Sequence, residues 1–204
     1  LLKILAARFS SKAYLTKALP SISHFRYLPM KLPNIVILTI LFLGSCKPDT
    51  ISSNFKQILS LNEYTIVMFI APDCPLCHSL STPFSELDKE YSNIQSIGVI
   101  SGNYYSPMEI NNFATETKFK PAIFRDYTHQ IARQLNATVT PEFYLLNAKG
   151  EILYQGMMDD RIEHLGSYKQ QWKNNYLADA IQLINEGQLP KIKKTNPIGC
   201  SLEY

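Results

Sequence analysis

The sequence predicts an α/β domain with a central mixed sheet and helices on both faces. Between residues 64 and 135, strand and helix patterns alternate in the order βαβαβα, which requires parallel strands. Residues 142–146 and 151–155 then form two β-prone runs around Lys149-Gly150, which indicates an antiparallel hairpin. With 204 residues, 46% of them hydrophobic, the chain has enough apolar material for one such domain.

Hydrophobic periodicity predicts the elements in chain order. A helix over residues 50–59 precedes a β-prone run, residues 64–70, of the kind found in strands covered on both faces. Apolar residues at spacings of three and four indicate a helix over residues 74–91. The closing helix is expected over residues 170–186, with Trp172 on its buried side. The remaining predicted elements are strands over residues 94–100 and 121–124 and helices over residues 107–119 and 128–135.

The charge distribution separates the start of the chain from the rest. Every acidic residue lies at or after Asp49, whereas seven of the 20 basic residues precede it. The remainder of the chain carries 13 basic and 17 acidic residues. A nucleic-acid-binding face needs Lys and Arg clustered on the folded part, so no nucleic-acid partner is predicted. The basic segment is interpreted as targeting sequence.

Residues 30–46 read MKLPNIVILTILFLGSC, a short basic start and an apolar run followed by small residues before Cys46. The run suits an export signal, and its end resembles the lipobox of bacterial lipoproteins. We therefore expect residues 30–45 to be a signal peptide, Cys46 to be lipidated, and residues 46–53 to form a tether. Residues 1–29 are interpreted as an upstream, non-native extension. An uncleaved signal anchor and, for residues 1–29, a mitochondrial presequence remain alternatives.

Two motifs flank the predicted sheet. Cys74-Pro75-Leu76-Cys77 follows a strand and opens a helix, and Thr140-Pro141 precedes the hairpin. Over residues 54–190 this layout resembles the thioredoxin fold, which implies a thiol–disulfide oxidoreductase. The segment between the two motifs is longer than in minimal thioredoxins by about one strand–helix unit. This extra insertion resembles the redoxin branch, which contains envelope thiol reductases and peroxiredoxins.

The chemistry implied by the resemblance places the attacking thiolate on Cys74, because a helix N-terminus stabilises a negative charge. Cys77, one turn later, would resolve the mixed disulfide. In the family, the proline that matches Pro141 is cis, and the residue before it pairs with the backbone of a bound peptide. Thr140 and Pro141, together with Pro75 and Leu76, are therefore the predicted substrate-binding residues.

Two features of the sequence bear on Cys74 and on the end of the chain. Asp73, next to Cys74, is expected to oppose thiolate formation. GMMDDR after Tyr154-Gln155, and the ending TNPIGC, resemble a peroxiredoxin-like redoxin group with a terminal Gly-Cys. Residues 191–204 are therefore interpreted as a tail, in which Cys200 is a candidate third redox cysteine, a metal ligand or an inert thiol.

Three alternatives use the same residues. Cys74-Pro75-Leu76-Cys77-His78 also fits the attachment sequence of c-type haem. Cys74, Cys77 and His78, with Cys200 or His164, would form a soft site for copper or zinc. A peroxiredoxin-like peroxidase is the third, although Ala71 stands where the peroxidatic pattern has Thr.

The preferred interpretation is an enzyme with no cofactor and no metal, which exchanges disulfides with protein thiol or disulfide substrates. An upstream envelope redox partner is expected to recharge it. The lipid on Cys46 would hold it at a membrane of the cell envelope, facing the periplasm.

Overall fold

The computed structural model describes residues 53–203. Residues 1–29 and 30–45, and the tether up to residue 52 with Cys46, lie outside the described residues. Within residues 53–203, no helix has both the length and the apolar character of a membrane span. The helices are α1 (Ser53–Ser60), α2 (Pro75–Glu90), α3 (Pro107–Glu116), α4 (Gln130–Leu135) and α5 (Tyr176–Asn185). The strands are β1 (Tyr64–Phe69), β2 (Gln95–Ser101), β3 (Ala122–Asp126), β4 (Val139–Thr140), β5 (Glu142–Asn147), β6 (Ile152–Gly156), β7 (Ile162–His164), β8 (Ser167–Tyr168) and β9 (Cys200–Ser201).

The central sheet has five strands in the order β3-β2-β1-β5-β6. The first three strands run parallel, as the βαβαβα pattern predicts. β5 is antiparallel to β1, and β6 is antiparallel to β5, so the predicted hairpin completes a mixed sheet. Gly150 in the hairpin loop has φ +81°, a conformation that glycine adopts without steric cost.

Helices cover both faces of this sheet, and β1 is buried because it lies between them. On one face, side chains of α2 and α5 such as Phe84 and Ile181 pack against Met68. On the other face, side chains of α1 and α4 such as Leu59 and Ile131 form the second core cluster. Between Cys74 and Pro141 the chain forms two strand–helix units, β2 with α3 and β3 with α4. The predicted fold class is therefore confirmed.

The closing helix begins at Tyr176 rather than at residue 170, and the prediction that Trp172 is buried is wrong. Asp160 accepts hydrogen bonds from the backbone N–H groups of Lys173 (3.0 Å) and Asn174 (2.9 Å), which holds this segment out of a helix. Trp172 is 41% exposed. Its ring lies 4.4 Å from the Arg161 guanidinium, a cation–π contact that replaces the expected core packing.

The last residues of the chain return to the domain. Thr195 donates its N–H to the Gln155 carbonyl (2.9 Å), and its hydroxyl accepts a hydrogen bond from the N–H of Met157 (2.8 Å). Gly156, with φ +134°, makes this approach possible, because a Cβ there would overlap Thr195. Beyond Thr195, β9 pairs antiparallel with β4. The segment predicted as a tail is therefore a structural part of the domain.

Candidate redox site

Cys74 occupies the N-cap position of α2, immediately after the loop that follows β1. Its N–H donates to the Ala71 carbonyl (3.0 Å), and its own carbonyl accepts from the N–H of His78 (3.2 Å). Pro75 follows at the first helical position, where its missing N–H leaves no bond unmade. The Cys74 sulfur therefore lies at the end of the helix where free N–H groups favour a negative charge.

The surroundings of Cys74 stabilise a thiolate. Hydrogen bonding lowers the pKa of Cys74 to about 5, and Cys77 contributes more to this than Cys200 does. Burial acts in the opposite direction, but its effect is smaller than theirs. Cys74 is accordingly a thiolate at neutral pH and becomes protonated only as the pH falls through about 5. In the thiol form its Sγ donates to the Thr140 carbonyl, at 3.1 Å.

The acidic neighbour Asp73 does not prevent a low pKa at Cys74. The Asp73 carboxylate accepts a hydrogen bond from the Tyr105 hydroxyl (2.5 Å). Its charge contributes to the raised pKa of Cys200, behind burial and the interactions with Cys74. The thiol hydrogen bonds thus lower the pKa of Cys74 although Asp73 is its neighbour in the chain, and the opposing effect of Asp73 stays a prediction.

Cys77 has the opposite electrostatic character. Its side chain is fully buried, and burial raises its pKa well above the ordinary value. The Ala71 N–H lies 3.5 Å from its sulfur. The Thr140 hydroxyl is buried without a well-aligned hydrogen-bond partner, and it lies beside Cys77, where it favours a thiolate. The pair thus combines a stabilised thiolate at Cys74 with a protonated, protected thiol at Cys77.

The Thr140–Pro141 peptide bond is cis, as the resemblance implies. Both residues are buried beside the cysteine pair. The segment before them is fixed from two sides: the Glu142 carboxylate accepts from the N–H of Thr138 (2.9 Å), and the N–H of Leu202 donates to the Thr138 carbonyl (3.0 Å). The ledge formed by Thr140 and Pro141 is therefore held in place next to Cys74. The contribution of Glu142 was not predicted, because nothing in its local pattern distinguishes it from a strand residue.

The other predicted site residues differ in accessibility. Pro75 is exposed, whereas Leu76 is only 3% exposed and belongs to the core cluster beneath α2. Of these two, only Pro75 is open to a substrate in this arrangement. The His78 ring is half-buried and its Nε2 lies 2.7 Å from the Pro72 carbonyl. Among residues 53–203, no group of three or more His, Cys, Asp or Glu side chains is positioned to hold a metal ion.

Cys200 joins the site from the end of the chain. In the β4–β9 pair it lies opposite Thr140, whose carbonyl accepts from the Cys74 thiol, and its backbone and thiol help to lower the pKa of Cys74. Cys74 is only 1% exposed, since it lies beneath this strand. The Gly199-Cys200 pair was the one sign in the sequence that this cysteine has a role. Its pairing with β4 could not be predicted from the sequence.

An open cleft of about 500 Å³ is lined by the chain neighbours of Cys74 and Cys200. Asp73 and Tyr105 line one side, and Ser201 and Leu202 of the chain end line another. Thr140 contributes to the lining between them. The cleft gives a second molecule room to approach the ledge.

Together, the sheet order, the Cys-x-x-Cys helix start and the cis-proline define a protein of the thioredoxin-fold class. The chain belongs to the thioredoxin-like family: the family model described as a thioredoxin-like domain matches residues 51–168. No curated protein matches the chain.

Solved structures with the same fold are similar to this chain at low sequence identity. An uncharacterized conserved protein from Geobacillus kaustophilus has 23% identity and a TM-score of 0.61, over 70% of this chain and 78% of that one. A hypothetical protein from Sinorhizobium meliloti has 18% identity and a TM-score of 0.61, over 74% and 82%. A secreted Mycobacterium tuberculosis disulfide oxidoreductase has 17% identity and a TM-score of 0.40, over 44% and 66%. The likeness to the first two concerns the fold.

Proposed function

We propose that the protein is a thiol–disulfide oxidoreductase of the cell envelope that exchanges disulfides with protein substrates through Cys74 and Cys77. One observation carries the proposal: a cysteine with a pKa of about 5 caps a helix beside a fully buried second cysteine and a cis-proline. A nucleophilic thiolate and a protected resolving thiol are the two groups that disulfide exchange requires.

The reaction begins when the Cys74 thiolate attacks one sulfur of a client disulfide. A bond forms between Cys74 and that sulfur, and the other client sulfur leaves as a thiolate. Cys77 then attacks the Cys74 sulfur, its proton passes to the departing client sulfur, and the Cys74–Cys77 disulfide remains. Two electrons have moved from the pair to the client. The same steps in reverse oxidise a client dithiol, and an upstream envelope redox partner restores the form that is consumed.

The ledge positions the client. An extended client segment would pair with the backbone of Thr140, next to cis-Pro141, and bring its sulfur to Cys74. Antiparallel pairing at this ledge is geometrically possible, because β9 already pairs there, and a client segment would have to displace β9. Exposed Pro75 would form the outer side of the contact, with Leu76 supporting it from the core.

The test of the proposed activity is reduction of a protein disulfide, followed as client thiols released, by the full chain and by Cys74→Ser. Turnover by the full chain that is lost in the variant supports the proposal. Equal rates with and without Cys74 would refute it.

The envelope location forms part of the proposal and follows from the segment before the described residues. Residues 30–46 have the pattern of a lipoprotein signal, so we propose that Cys46 carries lipid and holds the domain at a membrane, facing the periplasm. Mass spectrometry of the protein extracted from membranes is expected to find a chain that begins at acylated Cys46. A chain that retains residues 30–45 would contradict the anchor, without bearing on the redox chemistry.

A further inference from the structure

We propose that Cys200 is a third redox-active cysteine, and that β9 acts as a built-in substrate strand whose thiol forms a disulfide with Cys74 in exchange for Cys77. The inference shares Cys74 with the proposed function and extends it. It rests on the position of the chain end over the site.

The first argument is the backbone register. β9 pairs antiparallel with β4, with Cys200 opposite Thr140 and Ser201 opposite Val139. Thr140 is the residue whose backbone a client strand would use. Because strand side chains alternate between faces, this register directs Cys200 and Ser201 to opposite sides. Cys200 is thereby placed at the position where a client would present its sulfur.

The second argument is that the chain end fits this position closely. A Cβ at residue 199 would overlap the carbonyl oxygen of Thr140. Glycine at this position therefore allows the strand to lie this close to the ledge. Upstream, Thr195 is bound to Gln155 and Met157. Downstream, Leu202 is bound to Thr138. The segment is thus fixed on both sides of Cys200, which raises the effective concentration of its thiol at Cys74.

The third argument is the arrangement of the three sulfurs. Cys77 lies one turn after Cys74 in the same helix start, and Cys200 lies opposite Thr140, whose carbonyl oxygen is 3.1 Å from the Cys74 sulfur. Either thiol is therefore within reach of the same central sulfur. The Ala71 N–H and the Thr140 hydroxyl lie beside Cys77, where they would stabilise its sulfur as it leaves.

The step conserves atoms and electrons. The Cys200 sulfur attacks the Cys74 sulfur of the Cys74–Cys77 disulfide, which is the oxidised form that the proposed function generates. The Cys74–Cys200 bond forms, the Cys74–Cys77 bond breaks, and the proton of Cys200 is transferred to Cys77. The protein exchanges one internal disulfide for another, so the step needs no external oxidant.

The consequence is a closed form of the oxidised protein. When the Cys74–Cys200 disulfide is present, β9 is covalently held on the ledge that a client needs. In the dithiol form only hydrogen bonds and apolar packing hold β9, and a client strand competes with it. The apparent affinity for clients is then reduced by the fraction of molecules in which β9 is docked.

Disulfide mapping of the full chain tests the inference. The protein is oxidised with excess oxidised glutathione, alkylated in acid and digested with trypsin. Cys74 and Cys77 lie in the peptide of residues 57–89, Cys200 in residues 195–204, and Cys46 in a separate peptide. The expected result is a disulfide between peptides 57–89 and 195–204, with one cysteine of the first peptide alkylated.

Variants identify the cysteine that bonds to Cys200 and test whether the reaction needs β9 to lie on the ledge. In Cys77→Ser the cross-link is expected to form, and in Cys74→Ser it is expected to be absent. Adding Gly199→Val to Cys77→Ser should slow cross-linking by about tenfold or more, because docking supplies the proximity. The pair Cys200→Ser with Ser201→Cys, in the Cys77→Ser background, is the matched control. It moves the thiol to the other side of the strand and should also slow the reaction.

The outcomes separate this inference from the proposed function. Peptide 195–204 fully alkylated in both the oxidised wild type and Cys77→Ser would overturn the inference, even if client reduction proceeds normally. Equal cross-linking rates in Cys77→Ser with and without Gly199→Val would also overturn it, since docking would then play no part. Cross-linking without client turnover would leave the inference standing and refute the proposed function.

Discussion

Replacing Cys74 with serine is expected to lower the rate of protein disulfide reduction by more than about a thousandfold, because a serine hydroxyl is not ionised at neutral pH and cannot replace the thiolate. The Cys74 pKa of about 5 means that the wild type carries the nucleophile over the whole neutral range. The loss of rate is measured at pH 7 by stopping the reaction at set times and determining the client thiols released. Circular dichroism of the variant checks that the fold is retained.

A second variant identifies the sulfur that attacks. In Cys77→Ser with Cys200→Ser, both resolving thiols are absent, so a client bound to Cys74 has no internal route of release. This double variant should accumulate a mixed disulfide that is sensitive to reductant, and adding Cys74→Ser should remove it. A mixed disulfide that persists without Cys74 would show that another sulfur is the nucleophile.

Replacing Gly156 with alanine is expected to reduce the free energy of unfolding by about 2–5 kcal/mol. Gly156 has φ +134°, which disfavours any side chain, and its Cβ would overlap Thr195. The overlap also loosens the chain end that carries β9 over Cys74. Urea denaturation measures the change, and faster alkylation of Cys74 would report the loosened chain end.

Gly166→Ala is the matched control. Gly166 has φ +81°, but no atom lies within 4 Å of the position of its added Cβ. The control therefore carries backbone strain without overlap, and we expect it to cost about 1–2 kcal/mol. If Gly156→Ala cost no more than Gly166→Ala, the close contact between Gly156 and Thr195 would not be a determinant of stability.

The sequence predicted the central sheet and the helix start at Cys74 because both depend on local patterns. Alternation of strand and helix periods identifies parallel strands, and Cys-x-x-Cys after the β1 run marks the helix N-terminus. The cis state of Pro141 followed from the family resemblance. The roles of Cys74 and Cys77 remain predictions that the experiments above address.

Features that depend on distant contacts were not predictable in the same way. The start of α5 is set by Asp160, whose carboxylate binds the backbone of residues 173–174 and overrides a pattern that favours a longer helix. The docking of β9 depends on Gly199 fitting against Thr140, two residues far apart in sequence. Without the fold, Gly199-Cys200 indicated a tail whose thiol was a candidate third redox cysteine, a metal ligand or an inert thiol.

An anaerobic redox titration with thiol trapping at each potential tests the central claim most directly, using the full chain with Cys46→Ser. We expect one two-electron transition in which the three cysteines of the described residues change from three trapped thiols to one. The midpoint is expected within the range of known thiol–disulfide oxidoreductases, from about −270 mV for thioredoxin to about −120 mV for DsbA. If all three cysteines were trapped as free thiols at every potential in this range, or none of them at any potential, thiol–disulfide chemistry at this site would be contradicted.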